Sequence, residues 1–315
     1  MQAPVCRDCF AGTLRGDVIP SGKEETIHGI RTYVAGPEPG VEPLGTVVII
    51  TDAFGWTLLN TRALADAYAR RIPCTVYVPD FMDGAVVPSL SHHRSLHEAT
   101  LTHLTGHAMP PSIMTITEAK PGPNTNLFQT LWMKLRFLTV IPLLLSFLFR
   151  TRQSVTHPRI ISFLRAVRTS ASPPPKLAVA GFCWGGMHAV RLTHDVPATK
   201  LEAEGVEHPL IDCAFTAHPS MLAFPEHIDK VVRPLSVANG DDDQFMGKEK
   251  MKRLVEILEG KNAEAGGEGI HEAVVYPGAK HGFAVRGDLG DPLQRERGEK
   301  SEEQAVVWFR RHFGV

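Results

Sequence analysis

The sequence predicts an α/β fold in which helices cover both faces of a mostly parallel central sheet. Residues 45–51 and 176–181 form continuous apolar runs, which are typical of strands buried on both faces. Amphipathic segments with helical periodicity occur between such runs, as at 60–71 and 246–258. Alternating strands and helices favour parallel strands joined by helical crossovers, so we expect one such sheet to organise the chain.

Further elements follow from the same patterns. Residues 25–35 alternate between apolar and polar side chains, which indicates one outer antiparallel strand. Four more strands are predicted at 74–79, 211–217, 234–239 and 272–276. A short helix is predicted over 186–192, and a final one over 304–313 with Trp308 and Phe309 facing the core.

Residues from about 84 to 158 depart from this alternation and are the candidate insertion in an otherwise single domain of residues 1–315. The insertion contains an uncharged apolar run at 137–149. Roughly 20 such residues are needed to span a bilayer, and Pro142 also interrupts the run. Three interpretations stay open: a cap over a substrate pocket, a buried core or dimer helix, or attachment to a membrane surface. We favour the cap, because insertions in such sheets lie at the ends where ligands bind.

Charge and cysteine content narrow the functional classes. A net charge of −1 and an isoelectric point near 7.0 argue against a nucleic-acid partner. The five cysteines are odd in number and widely scattered, which argues against a disulfide framework and for a reducing compartment. The N-terminal residues lack the apolar core of a signal peptide. We therefore expect an intracellular, cytoplasmic protein with a small-molecule partner, with membrane association disfavoured and a homodimer left open.

A strand-to-helix turn at 181–186 carries the clearest chemical signal. Cys183 lies between Gly181 and Gly185, in the Gly-x-nucleophile-x-Gly pattern. The flanking residues must be small because the turn is tight, and the following helix directs its positive end at the sulfur, which favours thiolate. A structural buried cysteine is the alternative, and the glycine spacing makes it the weaker one. Cys183 is therefore the candidate nucleophile.

A thiol nucleophile needs a histidine base and a carboxylate that orients the base, and in this topology the acid precedes the histidine. The strand at 234–239 leads into aspartates 241–243, and the strand at 272–276 leads into His281. Loops at the carboxyl ends of parallel strands converge, so Cys183, one aspartate and His281 can meet. The pattern alone does not select among the aspartates, and any of them also fits a solvated turn or a helix cap.

The loop after the strand at 45–51 supplies further candidates. In hydrolases of this layout, this loop and the residue after the nucleophile each give one backbone N–H to an oxyanion. Ala53 and Trp184 occupy those positions. Asp52 would place a carboxylate near the thiol, where like charge opposes thiolate formation, unless it caps the following helix.

Metal-like patterns are present but incomplete. His93 and His97 have the i, i+4 spacing of a metal pair, yet no Glu-bearing HExxH motif accompanies them. Cys6 and Cys9 form a Cys-x-x-Cys without the second pair that a closed zinc site needs. We therefore predict no metal and no cofactor.

Taken together, the motifs resemble the dienelactone hydrolase family, or carboxymethylenebutenolidases, and above all its fungal branch. They are Gly181-x-Cys183-x-Gly185, Gly240-x-x-Asp243, His281-Gly-Phe283 and Asp52-x-Phe54-Gly55, with the early Cys-x-x-Cys region and Glu24-Glu-Thr-Ile-His-Gly shared with fungal members. The resemblance covers nearly the whole chain outside about 84–158. It implies an α/β-hydrolase fold, a triad of Cys183, His281 and Asp243, and Asp52 as the carboxylate that restrains the resting thiol.

The candidate substrate contacts are Phe54, Trp56 and Arg286. Bacterial members of the family carry a carboxylate-binding arginine one residue away from the position of Arg286, and a glutamate where this chain has Asp52. The apolar insertion favours a larger and more apolar substrate than a small dienelactone, such as a polyketide or other secondary-metabolite intermediate. The expected activity is hydrolysis of a lactone or ester through a thioester on Cys183. Two alternatives stay open: a hydrolase fold recruited for isomerisation, cyclisation or decarboxylation, and a catalytically silent binding protein.

Overall fold

An eight-stranded sheet forms the centre of the protein in its computed structural model, which describes residues 19–86, 145–171, 174–203, 205–266, 269–286 and 291–315. Within these ranges the strands of the chain are β1 (Lys23–Ile27), β2 (Ile30–Ala35), β3 (Thr46–Ile50), β4 (Thr75–Pro79), β5 (Leu177–Phe182), β6 (Lys200–Ala203), β7 (Val206–Pro209), β8 (Cys213–Ala217), β9 (Leu235–Asp242) and β10 (His271–Lys280). Strands β6 and β7 form a separate hairpin.

The order across the large sheet is β1-β2-β4-β3-β5-β8-β9-β10. From β4 to β10 the neighbouring strands are parallel, whereas β2 pairs antiparallel with both β1 and β4. Every residue of β3 and β5 is buried, as their continuous apolar runs predict. The parallel arrangement brings the carboxyl ends of β3, β5, β8, β9 and β10 to one edge of the sheet, where ligand sites of such folds lie.

Helices pack on the sheet from both sides. In chain order they are α1 (Leu59–Arg71), α2 (Gln153–Arg168), α3 (Trp184–Leu192), α4 (Glu226–Asp229), α5 (Lys248–Glu264) and α6 (Pro292–Phe313). Helix α6 contacts α1 and β8 to β10, and its Trp308 and Phe309 are fully buried. Helix α3 contacts β3, β5, β8 and α4, and α4 contacts α5. The predicted α/β class with a mostly parallel, helix-covered sheet is confirmed.

The segment predicted as one strand over 25–35 is instead the hairpin of β1 and β2. His28 and Gly29 form its two-residue turn, and both have positive φ, at 47° and 79°. Such a turn suits the right-handed twist of a hairpin. Ile27 and Ile30 pair across the turn, so the apolar pattern continues through the reversal and conceals it in the sequence.

The final helix begins at Pro292 rather than at 304, and the structure shows why the sequence pattern missed its first turns. Asp291 caps the helix, because its side chain accepts hydrogen bonds from the N–H groups of Leu293 (3.0 Å) and Gln294 (3.4 Å). The first turns are highly charged and carry little apolar periodicity, the signal on which the prediction depended. Helix α5 and strand β9 also extend beyond their predicted ends.

Much of the candidate insertion lies outside the described residues, including the histidines at 92–107 and the apolar run up to residue 144. The cap therefore stays a prediction. Helix α2 begins at Gln153 and so crosses the predicted end of the insertion at 158. In the described end of the apolar run, Phe147 is buried, whereas Leu145 and Phe149 are exposed. None of the helices that the structure describes is long and apolar enough to span a bilayer.

Helix α2 packs on α3 through buried and half-buried polar side chains. His157 Nδ1 lies 3.0 Å from His188 Nδ1, and the two rings stack with centroids 5.2 Å apart. Gln153 Oε1 accepts a hydrogen bond from Arg191 Nη1 (2.9 Å). Burial lowers the pKa of His157 to about 4 and lowers the pKa of His188 well below its ordinary value, with the charge of Arg191 acting in the same direction. Both imidazoles are therefore neutral near neutral pH.

We expect the free energy of unfolding to decrease as the pH falls from 6.5 to about 4. The unfolded chain protonates His157 at the ordinary pKa of 6.5, whereas the folded chain does so only near pH 4. The stability that the neutral His157 contributes is therefore fully present above pH 6.5 and is lost as the pH falls toward 4. His157 alone accounts for about 3 kcal/mol of the loss. Urea unfolding followed by circular dichroism at several pH values measures it.

The matched variants for this prediction are His157→Gln and His208→Gln, the second at an exposed position of β7. The first removes a buried titrating group and is expected to flatten the pH dependence, whereas the second leaves it unchanged. An identical pH dependence in His157→Gln and the unmutated protein contradicts the prediction.

Candidate active site

The nucleophile elbow lies between β5 and α3. Strand β5 ends at Phe182 and α3 begins at Trp184, leaving Cys183 alone at the junction with φ 50° and ψ −110°. Positive φ is costly for a non-glycine residue and is concentrated at functional sites. Two backbone N–H groups, of Gly186 (3.1 Å) and Ser220 (2.9 Å), donate to the carbonyl oxygen of Cys183 and hold this conformation.

The glycines on either side of Cys183 are required by close backbone contacts. A Cβ atom on Gly185 would lie 2.0 Å from the carbonyl oxygen of Ile50, and one on Gly181 would lie 2.6 Å from Ala189 Cβ. The N–H of Gly185 donates to Thr51 O (3.0 Å), which joins the start of α3 to the end of β3. The Gly-x-Cys-x-Gly spacing thus lets the turn around Cys183 pack directly against the end of β3.

Gly185→Ala is expected to lower the free energy of unfolding by about 3 kcal/mol, because the added methyl group overlaps backbone that cannot move aside. Gly260→Ala is the matched control: Gly260 is an exposed residue of α5 with nothing near its Cβ position, and the change is expected to stabilise the protein by about 0.5–1 kcal/mol. Denaturant titration of both variants measures the difference. Equal stabilities would show that the elbow tolerates a side chain at 185.

The candidate acid and base meet at the ends of β9 and β10. His281 Nδ1 lies 2.8 Å from Asp243 Oδ2, and both side chains are fully buried. Asp243 Oδ1 accepts hydrogen bonds from the N–H groups of Phe245 (2.8 Å) and Met246 (3.3 Å), which fix the carboxylate. This pair fixes the orientation of the His281 ring through Nδ1.

The two other aspartates of the 241–243 cluster have different surroundings. Asp241 Oδ1 accepts a hydrogen bond from the N–H of Gly278 (2.6 Å), which braces the irregular end of β10. Asp242 is exposed at the end of β9. Of the three aspartates, Asp243 is the buried one, and its carboxylate lies against the ring of His281.

Asp52 and Arg286 form a buried ion pair in the same region. Arg286 Nε lies 3.4 Å from Asp52 Oδ2, and its guanidinium lies 5.0 Å from the centroid of the Phe54 ring. Asp52 Oδ1 accepts a hydrogen bond from the N–H of Phe54 (3.0 Å). Burial raises the pKa of Asp52, and the positive charge of Arg286 acts against that shift, as does His281. The structure thus brings Asp52, Phe54 and Arg286 together beside the base.

The predicted oxyanion donors lie on the two loops that the Gly185–Thr51 hydrogen bond joins. Ala53 follows Asp52 in the first loop, and Trp184 is the first residue of α3. Neither backbone N–H donates to another of the residues that the structure describes. An oxyanion hole requires two such donors, and the role of these two groups stays a prediction.

Trp56 is placed differently from Phe54. Its buried ring lies 4.9 Å from the guanidinium of Arg31 and 5.0 Å from that of Arg62, within cation–π distance of both. The ring thus packs toward β2 and α1. Its predicted contact with substrate stays a prediction that these distances do not test.

Sequence reasoning missed the residues that follow β8. Ser220 Oγ lies 3.7 Å from Cys183 Sγ, and the ring of His218 lies edge-on to that of His281 with centroids 5.0 Å apart. The available signal was position alone, since both residues come just after a buried parallel strand and so lie at the same sheet edge as the candidate triad.

Comparisons with known proteins bear on the family of the chain. Residues 146–313 match the dienelactone hydrolase family. The hydrolase tropI of Talaromyces stipitatus is 31% identical, with 96% of this chain and 94% of the relative covered. The hydrolase pyvD of Aspergillus violaceofuscus is 24% identical over 98% of this chain and 97% of its own.

A solved structure of esterase 2 from Thermogutta terrifontis, phosphoramylated by tabun, superposes with a TM-score of 0.52 at 14% identity, covering 94% of this chain and 98% of that one. At that identity the likeness concerns the fold alone. The family match and the relative at 31% identity show the family as well as the fold, and both confirm the resemblance seen in the motifs. The chain belongs to the dienelactone hydrolase family and is a carboxylic ester or lactone hydrolase.

Proposed function

We propose that the protein hydrolyses a lactone or ester through a thioester formed on Cys183. The observation that carries the proposal is the buried His281–Asp243 pair at 2.8 Å, which lies at the same sheet edge as a cysteine in the strained conformation of a nucleophile elbow. A carboxylate that holds Nδ1 leaves Nε2 of the imidazole to take up and return a proton.

In the first half of the reaction, His281 Nε2 takes the thiol proton while Cys183 Sγ attacks the carbonyl carbon. The N–H groups of Ala53 and Trp184 receive the oxyanion, and each such donor is typically worth about 3 kcal/mol. The bond from carbon to the leaving oxygen then breaks, and His281 returns the proton to that oxygen. In a lactone the resulting alcohol stays attached to the acyl chain.

In the second half, water replaces the thiolate. His281 accepts a proton from the water molecule, the hydroxyl attacks the thioester carbonyl, and the carbon–sulfur bond breaks. The thiolate of Cys183 recovers its proton from His281, and the carboxylic acid leaves. Asp243 keeps the imidazole oriented and stabilises its charged form throughout.

Asp52 restrains the resting thiol in this proposal, because a buried carboxylate opposes a second negative charge nearby. Its ion pair with Arg286 moderates that effect and occupies one edge of the guanidinium. Phe54, whose ring lies against Arg286, and Trp56 are the proposed aromatic contacts of the acyl chain. We therefore favour a largely apolar substrate, such as a polyketide or other secondary-metabolite lactone or ester, in keeping with the fungal hydrolases among the relatives.

A reducing compartment such as the cytoplasm belongs to the proposal, because the nucleophile must remain a thiol. Among the described residues, Cys74, Cys183 and Cys213 take part in no disulfide. Burial raises the pKa of Cys74 to about 12 and raises that of Cys213 well above its ordinary value, so neither is a competing nucleophile.

The test is turnover of unsaturated lactones, aryl esters and thioesters, with intact-protein mass spectrometry after rapid quenching. An adduct of the acyl mass that maps to Cys183 and is released by hydroxylamine supports the thioester. Product without any adduct, together with an isomerised or cyclised product of unchanged mass, would instead support the recruited, non-hydrolytic fold.

A further inference from the structure

The turn that follows β8 is strained and is fixed against the elbow. His218 and Met221, neither of them glycine, have positive φ values of 39° and 59°. The N–H of His218 donates to Ala238 O (2.9 Å) in β9, and the N–H of Ser220 donates to Cys183 O (2.9 Å). Backbone strain held by its surroundings in this way is concentrated at functional sites.

Ser220 contacts the sulfur of the proposed nucleophile. Its Oγ lies 3.7 Å from Cys183 Sγ, and both residues are buried, at 4% and 5% exposure. A neutral thiol can donate its proton to Oγ, whereas a thiolate accepts the hydroxyl proton of the serine. The second hydrogen bond is charge-assisted and therefore the stronger, so the hydroxyl favours the ionised sulfur.

The other end of the turn contacts the proposed base. The ring of His218 is fully buried, lies edge-on to that of His281 at 5.0 Å, and also contacts Phe283 at 5.8 Å. Neither of its ring nitrogens has a hydrogen-bond partner among the described residues. The ring of His218 is therefore held by packing against the base, whereas backbone hydrogen bonds of His218 and Ser220 fix the turn itself.

We propose that Ser220 is a positioning residue that orients the sulfur of Cys183 and stabilises its thiolate by donating the Oγ hydrogen. The inference rests on the proposed function, in which the thiol proton goes to His281; Ser220 keeps its own proton throughout. The buried ionisable groups described around the site are the same in all the variants used to test it: Asp52, His218, Asp243, His281 and Arg286.

The experiment is the rate of alkylation of Cys183 by iodoacetamide as a function of pH, read from the modified peptide by mass spectrometry. Ser220→Ala is expected to move the midpoint of this profile up by about one pH unit, with about a tenfold lower rate on its acid side. Ser220→Thr retains the hydroxyl and is expected to restore the profile. Ser236→Ala is the matched control, because Ser236 is a buried serine of β9 whose hydroxyl bonds to Glu272 (2.7 Å) instead.

An unshifted profile in Ser220→Ala, or an equal shift in Ser236→Ala, overturns the inference. Ser220→Gly provides a second deletion of the hydroxyl should the alanine variant fail to fold, as judged by circular dichroism. Alkylation does not require turnover, so failure of the Ser220 inference can be distinguished from failure of the proposed function. Absence of a thioester adduct in substrate trapping would contradict the proposed function. The alkylation profile of Ser220→Ala tests the role of Ser220 separately.

Discussion

Cys183→Ala is expected to lower kcat/KM for the lactone or ester substrate at least about a thousandfold, leaving the rate that binding and the oxyanion donors alone support. The reason is chemical rather than structural, since alanine occupies the same backbone position without a sulfur to attack the carbonyl. The measurement is steady-state hydrolysis of the best substrate from the panel, with far-UV circular dichroism to establish that the variant is folded.

Cys74→Ala and Cys213→Ala serve as controls in the same assay. Both thiols are buried in the core, and burial raises the pKa of each, so neither contributes a thiolate near neutral pH. Both variants are expected to keep kcat/KM within a fewfold of the unmutated protein. A Cys183→Ala variant that hydrolyses its substrate as fast as these controls rules out the cysteine mechanism.

The centre of the sheet could be predicted because β3 and β5 are buried on both faces. Continuous apolar runs such as 45–51 allow few other interpretations, and the structure places β3 and β5 within them. The hairpin at 23–35 could not be recognised from alternation alone, because Ile27 and Ile30 keep the pattern across the turn. Helix α6 was predicted too short, since its amino-terminal half is stabilised by a cap and by surface charge rather than by apolar contacts.

The candidate site could be read from the sequence wherever strand topology dictates position. Cys183, the aspartates 241–243 and His281 each lie at the end of a parallel strand, so the fold brings them to one edge of the sheet. The choice of Asp243 among the three aspartates came from the family resemblance and not from topology. Contacts between side chains of different loops have no such signature. The Asp52–Arg286 ion pair and the Ser220–Cys183 contact depend on how distant loops pack, and aspartate, arginine and serine are all common in solvated loops.

Asp243→Asn is expected to lower kcat/KM by about ten-thousandfold, because an amide can present its N–H to the imidazole and stabilise the wrong tautomer of His281. The carboxylate accepts hydrogen bonds at both oxygens, from His281 (2.8 Å) and from the N–H of Phe245 (2.8 Å). An asparagine satisfies the backbone donor with its carbonyl oxygen and must then turn its NH₂ toward the ring. The loss should therefore fall on kcat and leave the fold intact.

The adjacent aspartates provide controls within one loop. Asp242→Asn changes an exposed side chain, and Asp241→Asn keeps an oxygen that can accept from the N–H of Gly278, so both are expected to stay within a fewfold of the unmutated protein. Kinetics of the three variants across the pH range separate orientation of the base from simple loss of charge, since each removes one negative charge from the same segment. An equal loss of kcat/KM in all three variants would mean that the total negative charge of the loop, rather than one hydrogen bond, sets the activity. A loss confined to position 243 would mean that a single hydrogen bond to Nδ1 sets the base.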